Sequence, residues 1–300
     1  MGQIRNDVDA TEDSYPYVTG MGFRNRAHLI FDEFHQDSAD CITADGQVVF
    51  IKTDMVPAFF AHVMPHIKNK ITILTHNSAM GVDERYLTFL SHPRVIRWFT
   101  QNANISHPKL TALPLGLGNQ RWTHGNTEEL CDVINENIEK KYLVYMNFDI
   151  NTNSAKRAPV YDLFKGKDYV LSASRKPFRE YLRDLKASKF ALSPPGSGID
   201  CHRIWESLAV GTIPIVETCQ NVSFFQHMPI FIVDNWEKVT QEVLEEQYSK
   251  FSSPIYSSAD IFMDSWIKKV GLSLSPRHLP AGVIAPPGCT LENTKETKNE

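Results

Sequence analysis

The chain lacks what would mark a secreted, membrane-spanning or nucleic-acid-binding protein. Its five cysteines, Cys41, Cys131, Cys201, Cys219 and Cys289, include no Cys-x-x-Cys pair and are odd in number. That excludes a self-contained disulfide framework and suits ordinary thiols in a reducing compartment. No run approaches the length of apolar sequence that crosses a bilayer, so no membrane span is expected. The first positions are polar, with Asp7, Asp9, Glu12 and Asp13 where a leader would be apolar. Asn6 stands where myristoylation would need Ser or Thr. There is no basic excess: 31 Lys and Arg face 35 Asp and Glu, a formal net charge of -4. Nothing is therefore available to neutralise a phosphate backbone, and no nucleic-acid partner is expected. Gly-x-x-x-x-Gly-Lys, Gly-x-Ser-x-Gly and kinase signatures are all missing. The only Asp-x-Asp is Asp7-Val-Asp9, and His62 with His66 is interrupted by Pro65. Neither builds a metal site, so no metal or other cofactor is expected.

What is present is alternation. Three hundred residues at 42% hydrophobic suffice for two ordinary cores. Residues 1–26 carry no period and are expected to form a flexible N-terminus. From residue 27 to 135, apolar runs at 48–51, 71–74, 95–99 and 110–115 read as strands, with helices at 55–66 and 84–91 between them. The polar stretch 118–137 separates this half from a second one at 136–272. There the pattern predicts strands at 142–147, 169–171, 190–192 and 229–233, helices at 154–165, 177–187 and 236–247, and a last helix near 259–270 that crosses back onto the first domain. Residues 273–300 turn to Pro, Gly, Thr, Lys and Glu and are expected to be largely disordered. Alternation of this kind implies an α/β fold of two Rossmann-like domains facing across a cleft, the GT-B type.

The stretch Lys189 to Val216 holds the sharpest chemistry. An apolar run is followed by Pro194, Pro195, Gly196, Ser197 and Gly198, which forbid helix and ladder while allowing close backbone approach. Asp200 reads as the N-cap of the next helix, whose free N–H groups and positive dipole end attract phosphate. Arg203 and Glu206, three apart, share a face of that helix. A guanidinium matches phosphate oxygens as a fork, and a carboxylate accepts from the two hydroxyls of a ribose. A solvated Arg203–Glu206 ion pair is the plain structural alternative.

This segment resembles the nucleotide-sugar segment of the exostosin-like glycosyltransferases: Pro194 or Pro195, Gly196, Asp200, Arg203, Glu206 and the strand from Gly211 to Ile215. It is more distantly similar to inverting fucosyltransferases. The series Thr75-His-Asn-Ser78, Arg97 to Asn102 and Lys109 to Asn119 is similar to the first half of the short, soluble exostosin-like enzymes of bacteria and large DNA viruses. Arg157, within Asn151 to Arg157, matches a Thr-Asn-x-x-x-Arg element of those relatives. The resemblance spans roughly residues 46 to 250. It implies an inverting, metal-independent transferase of hexose or pentose. The donor would be UDP-linked, such as UDP-xylose, UDP-glucuronate or UDP-galactose, and the acceptor a glycan or glycoprotein. A soluble location in the cytoplasm, the host cytoplasm if viral, goes with it. A non-catalytic nucleotide-sugar-binding module and a GDP-fucose enzyme remain the alternatives. Oligomeric state stays open.

Residues just beyond strand ends are the first places to look for the rest of the site. Arg203, Arg157 and the loop would hold the donor diphosphate. Lys52, Asn77, Asn102, Asn119 and Trp122 are the acceptor-side candidates. The base that deprotonates the acceptor is expected among Asp54, His76 and Asp83. Trp205 reads as core, next to an inward-facing helix position.

Overall fold

Short Val-, Ile- and Phe-rich runs bounded by turn formers become strands, and their burial on both faces is what a parallel sheet requires. The computed structural model describes residues 3–5, 9, 12–251 and 255–273. Asp7 and the expected tail beyond Ser273 lie outside these residues. The first domain contains β1 (Leu29–Phe31), β2 (Val48–Lys52), β3 (Ile71–His76), β4 (Val95–Thr100) and β5 (Leu110–Ala112), all parallel and side by side in chain order. Helices α1 (Gly20–Asn25), α2 (Val56–His62) and α3 (Leu87–Leu90) belong to it. Pro65 confines α2 to the residues before a short 3-10 turn, Met64–His66.

A nine-residue helix, α4 (Thr127–Asn135), precedes the second domain. There β6 (Tyr142–Met146), β7 (Val170–Ser172), β8 (Ser188–Leu192), β9 (Ile213–Glu217) and β10 (Phe231–Val233) form a parallel sheet of order β10-β9-β8-β6-β7. Its helices are α5 (Ser154–Phe164), α6 (Phe178–Lys186), α7 (His202–Ala209) and α8 (Gln241–Phe251). Because the chain steps from β6 out to β7 and then back past β6 to β8, the strand order reverses between β6 and β8. That reversal opens a crevice beyond the carboxyl ends of those two strands. The first sheet, running without reversal, has no such crevice. The fold is two parallel-sheet α/β domains facing across a cleft, the GT-B arrangement that the alternation implies.

Two expectations need correction. Residues 12–26 are not a loose end: Ser14, Tyr17, Val18 and all of α1 are buried. They are held by two buried ion pairs, Arg26–Asp13 and Arg24–Asp32, the latter at 2.5 Å. The polar stretch at 118–137, between the two halves, carries a helix of its own. Asn126 caps α4, its Oδ1 accepting from the Glu128 and Glu129 amides while its Nδ2 donates to Glu129. Asp132 of α4 and Glu136 just beyond it then pair with Arg179 and Arg183 of α6. Cys41, Cys201 and Cys219 are free thiols, whereas Cys131 on α4 is disulfide-bonded, so the expectation of ordinary thiols fails there.

The last helix, α9 (Met263–Val270), does cross back. Val18 donates to the Ile261 carbonyl and Met263 to that of Pro16, Trp266 meets Phe23 edge to face, and Ser273 donates to the Arg26 carbonyl. No helix among the described residues is long and apolar enough to cross a membrane.

Replacing Asp13 with Ala strands the buried Arg26 guanidinium, and losing one partner of a buried pair costs about 3–5 kcal/mol. Denaturant unfolding of Asp13→Ala should show that loss; a midpoint within error of the wild type would mean that the pair is not holding the N-terminal segment in place.

Candidate active site

The segment from β8 into α7 is the wall of the cleft, and its acidic residue does something other than cap a helix. The residue at the N-cap of α7 is Cys201, with no side-chain cap bond. Asp200, 4% exposed, instead spans the domain boundary. Its Oδ2 accepts from the Leu115 amide of the first domain at 2.9 Å, and both oxygens accept from Trp205 Nε1. Its own amide donates to Asn102 Oδ1 at 3.0 Å. Asn102 reaches across from the end of β4 in the left-handed region, φ 55. The Gly198 position is what lets it arrive: a Cβ there would lie 2.6 Å from Asn102 Nδ2. Burial pushes the Asp200 pKa up to about 7, against the N–H donors that favour the carboxylate.

Behind the loop lies a concentration of unbalanced positive charge. Arg157, 6% exposed and reaching up from α5, donates through Nε to the Pro195 carbonyl and through Nη1 to that of Asp149. Its Nη2 passes 2.8 Å from where a Gly196 Cβ would be, so Gly196 makes room for the guanidinium. Arg203 lies beyond the Phe148 ring, and both guanidinium carbons are 5.7 Å from the ring centroid. Burial and then the Arg203 charge hold the Arg157 pKa below its ordinary value. Arg203 Nε and Nη1 are buried with no hydrogen-bond partner. Two cations beside one ring, Arg157 buried and Arg203 half-buried with two nitrogens shut away from both water and partner, are costly unless an anion joins them. Their position at the β6–β8 crevice, one at the start of α7, is where an anion is best held.

Glu206 does not pair with Arg203, so the ion-pair alternative does not hold. Its carboxylate is buried, and Oε2 accepts from Tyr181 Oη of α6 at 2.7 Å. Burial raises its pKa. Tyr145, at the crevice floor, accepts from Asn147. The second-domain wall is thus a buried acid, two phenols and two guanidiniums around Phe148.

A cavity of about 260 Å³ opens between the domains beside this wall. Its lining includes Ala79, Gly81 and Asn102 from the first domain, with Lys156, Gly196, Ser197, Gly198 and Glu217 from the second. Pro195 shares the lining. Asn102 is thus the one acceptor-side candidate that the fold brings to the cavity. Lys52 pairs with Glu33 at 3.3 Å and Asp54 at 3.6 Å at the end of β2, outside the lining. Asn77 and Asn119 are joined at 3.3 Å and grip α1, Asn119 accepting from the Met21 amide. The Trp122 ring is taken up by His124, stacked at 6.1 Å, and by Arg121 at 5.0 Å. Trp205 is core, as expected.

None of the three base candidates lines the cavity. His76 is buried, with Nε2 on the Pro114 carbonyl and Nδ1 taking the Asn77 amide. Burial lowers its pKa to about 4, so it is neutral with both nitrogens occupied. Asp83 caps its own turn and is gripped by Arg85, whose hydrogen bonds lower its pKa. Asp54 faces solvent beside Lys52. Residues missed by the sequence reading are Phe148, Tyr181, Lys156 and Glu217. Phe148 and Glu217 sit at the ends of β6 and β9, and the strand-end rule, extended to the second half, picks out both.

The family model described as the RXYLT1 C-terminal domain matches residues 163–256, which contain β8, the glycine loop, α7 and β9. That match supports a glycosyltransferase. No curated protein matches the chain. Among solved structures, the chain is similar to an alpha,alpha-trehalose-phosphate synthase (UDP-forming) from Burkholderia vietnamiensis, at 8% identity over 78% of this chain and 76% of that one, with a TM-score of 0.43. It is also similar to the Candida albicans trehalose-6-phosphate phosphatase N-terminal domain, at 10% identity over 77% and 71%, with a TM-score of 0.39. At such scores these likenesses carry no argument about chemistry, and the two-sheet arrangement rests on the strand pairings themselves.

The Asp200 pKa lies above its ordinary 3.8, so the group binds its proton more tightly folded than unfolded. Its contribution to stability is therefore full below about pH 4 and is lost as pH rises to about 7. The melting temperature of the wild type, relative to that of Asp200→Asn, should fall across that window. Parallel curves would show that the carboxylate is ionised throughout.

Proposed function

We propose that this glycosyltransferase is an inverting enzyme, active without a metal, that moves a sugar from a nucleotide-linked donor to a glycan hydroxyl. The observation that carries the reading is the half-buried Arg203, with Nε and Nη1 buried and unpartnered, beside Arg157 at the β6–β8 crevice. A diphosphate supplies the missing anion. Arg203 and Arg157 neutralise the charge that develops on it as the bond to the anomeric carbon breaks, and the N-terminus of α7 adds its dipole. Glu206, steadied by Tyr181, is placed to accept from ribose hydroxyls. Two fixed guanidiniums do what a divalent ion does elsewhere, so the chelator EDTA should leave turnover unchanged. A UDP-linked sugar is the donor that the exostosin resemblance favours, and a cleft between two domains suits a glycan acceptor.

Calorimetry with UDP and GDP tests the donor site directly. UDP should bind more tightly than GDP. Arg203→Ala should weaken binding at least ~10-fold, since a charge-assisted hydrogen bond contributes about 1.5–3 kcal/mol. If folded protein binds neither nucleotide at millimolar concentration, the reading fails. GDP preferred over UDP would turn it towards a fucosyltransferase-like donor. Binding without release of nucleoside diphosphate from UDP-xylose, UDP-glucuronate, UDP-galactose or GDP-fucose would make the chain a binding module.

A further inference from the structure

The cavity between the domains contains one carboxylate among the described residues that line it, and it is none of those expected. Glu217 closes β9, two residues beyond the Ile215 that pairs with Leu192 of β8, which places it level with the start of the glycine loop. Both its oxygens accept from Lys156 Nζ, at 3.2 and 3.0 Å, and its side chain is 28% exposed. Lys156 comes from the residue next to Arg157, so one turn of α5 serves both the anion site and the cavity. Across from Glu217, the first-domain wall offers the neutral groups Ala79, Gly81, Asn102 and Asn104. Gly196 belongs to both places: it lines the cavity and gives Arg157 its room. A donor whose diphosphate lies against Arg157 and Arg203 can therefore project its sugar along the loop towards Glu217.

We propose that Glu217 is the general base of the transfer and that the acceptor is a neutral, hydroxyl-bearing sugar held against Asn102 and Asn104. This rests on the donor site proposed above. The acceptor hydroxyl gives its proton to Glu217 as its oxygen bonds to the anomeric carbon. The bond from that carbon to the donor phosphate breaks with both electrons leaving on the nucleoside diphosphate, and the proton passes from Glu217 to solvent. Lys156 positions the carboxylate. The titratable groups near Glu217 are Lys156 from α5 and Cys219 just past β9, and the Asp200 charge also acts on Cys219.

The test is release of nucleoside diphosphate from the four donors named above, with water or added oligosaccharide as acceptor. Glu217→Gln should lower turnover at least ~100-fold, the scale of a lost general base. It should abolish the acid limb of the pH profile and leave the Kd for UDP or GDP unchanged. Glu217→Asp should retain more turnover than Glu217→Gln. If Glu217→Gln does not fold, Glu217→Ala serves, with turnover lost on the same scale and partly restored by added formate. Full turnover in Glu217→Gln or Glu217→Ala, or a Kd weakened as much as in Arg203→Ala, would overturn the assignment. Full turnover in Glu217→Gln overturns the base alone, a wild type that binds nucleotide yet releases none from any donor overturns the transfer as a whole, and a wild type that binds no nucleotide overturns the donor site beneath both.

Discussion

The cleft depends on two buried hydrogen bonds across it, from the Asp200 amide to Asn102 Oδ1 and from the Leu115 amide to the Asp200 carboxylate. Each residue is useless to the other unless the two domains hold one particular separation, because the amide must meet a backbone N–H while the carboxylate meets the Leu115 amide. Asn102 tolerates the left-handed backbone that this requires better than most residues do. Gly81 and Gly198 flank it so closely that any side chain there would push into Asn102. The glycines of the loop are thus explained by protein groups, Arg157 at Gly196 and Asn102 at Gly198, before any ligand is considered. A ligand inherits the space that these contacts define.

The second constraint is electrostatic and works against stability. A fold seeking only stability would pair Arg203 with Glu206, three residues away on the same helix. Instead Glu206 is turned to Tyr181, and two nitrogens of the guanidinium are left buried without a partner. A local rule broken at considerable cost, in the crevice that the strand order opens, is the usual mark of a functional site. The two guanidiniums are also kept from relaxing apart, because Arg157 is tied to the loop carbonyl and both pack over the Phe148 ring.

Much of this was legible in the residues and some was not. The strands were readable because buried parallel strands are near-continuous Val, Ile and Phe runs, and the glycine loop with its arginine because both carry their chemistry locally. Strand order is not local. Nothing in the spacing said that the first sheet runs in sequence while the second reverses, and that difference decides which half holds the crevice. The base candidates lie away from the cavity for a related reason. His76 ends a strand as a catalytic residue would, yet its ring nitrogens were already needed by Pro114 and Asn77. Helix α4 was hidden by its polar face, although Asn126 with Glu129 carried a capping signal.

The return of α9 to the first domain gives the chain two separate passages between the domains, one near Asn126 and one before Ala259. A body tethered at a single point can swivel in any direction, but one tethered at two can turn only about the line that joins them. Any opening of the cleft is therefore a door-like rotation with one axis. It must break the Asn102–Asp200 contact on the way out and remake the same contact on the way back. Each closure returns the second-domain wall to the same register against the first, so the distance from the anion site to the opposite wall is reset by the chain path itself.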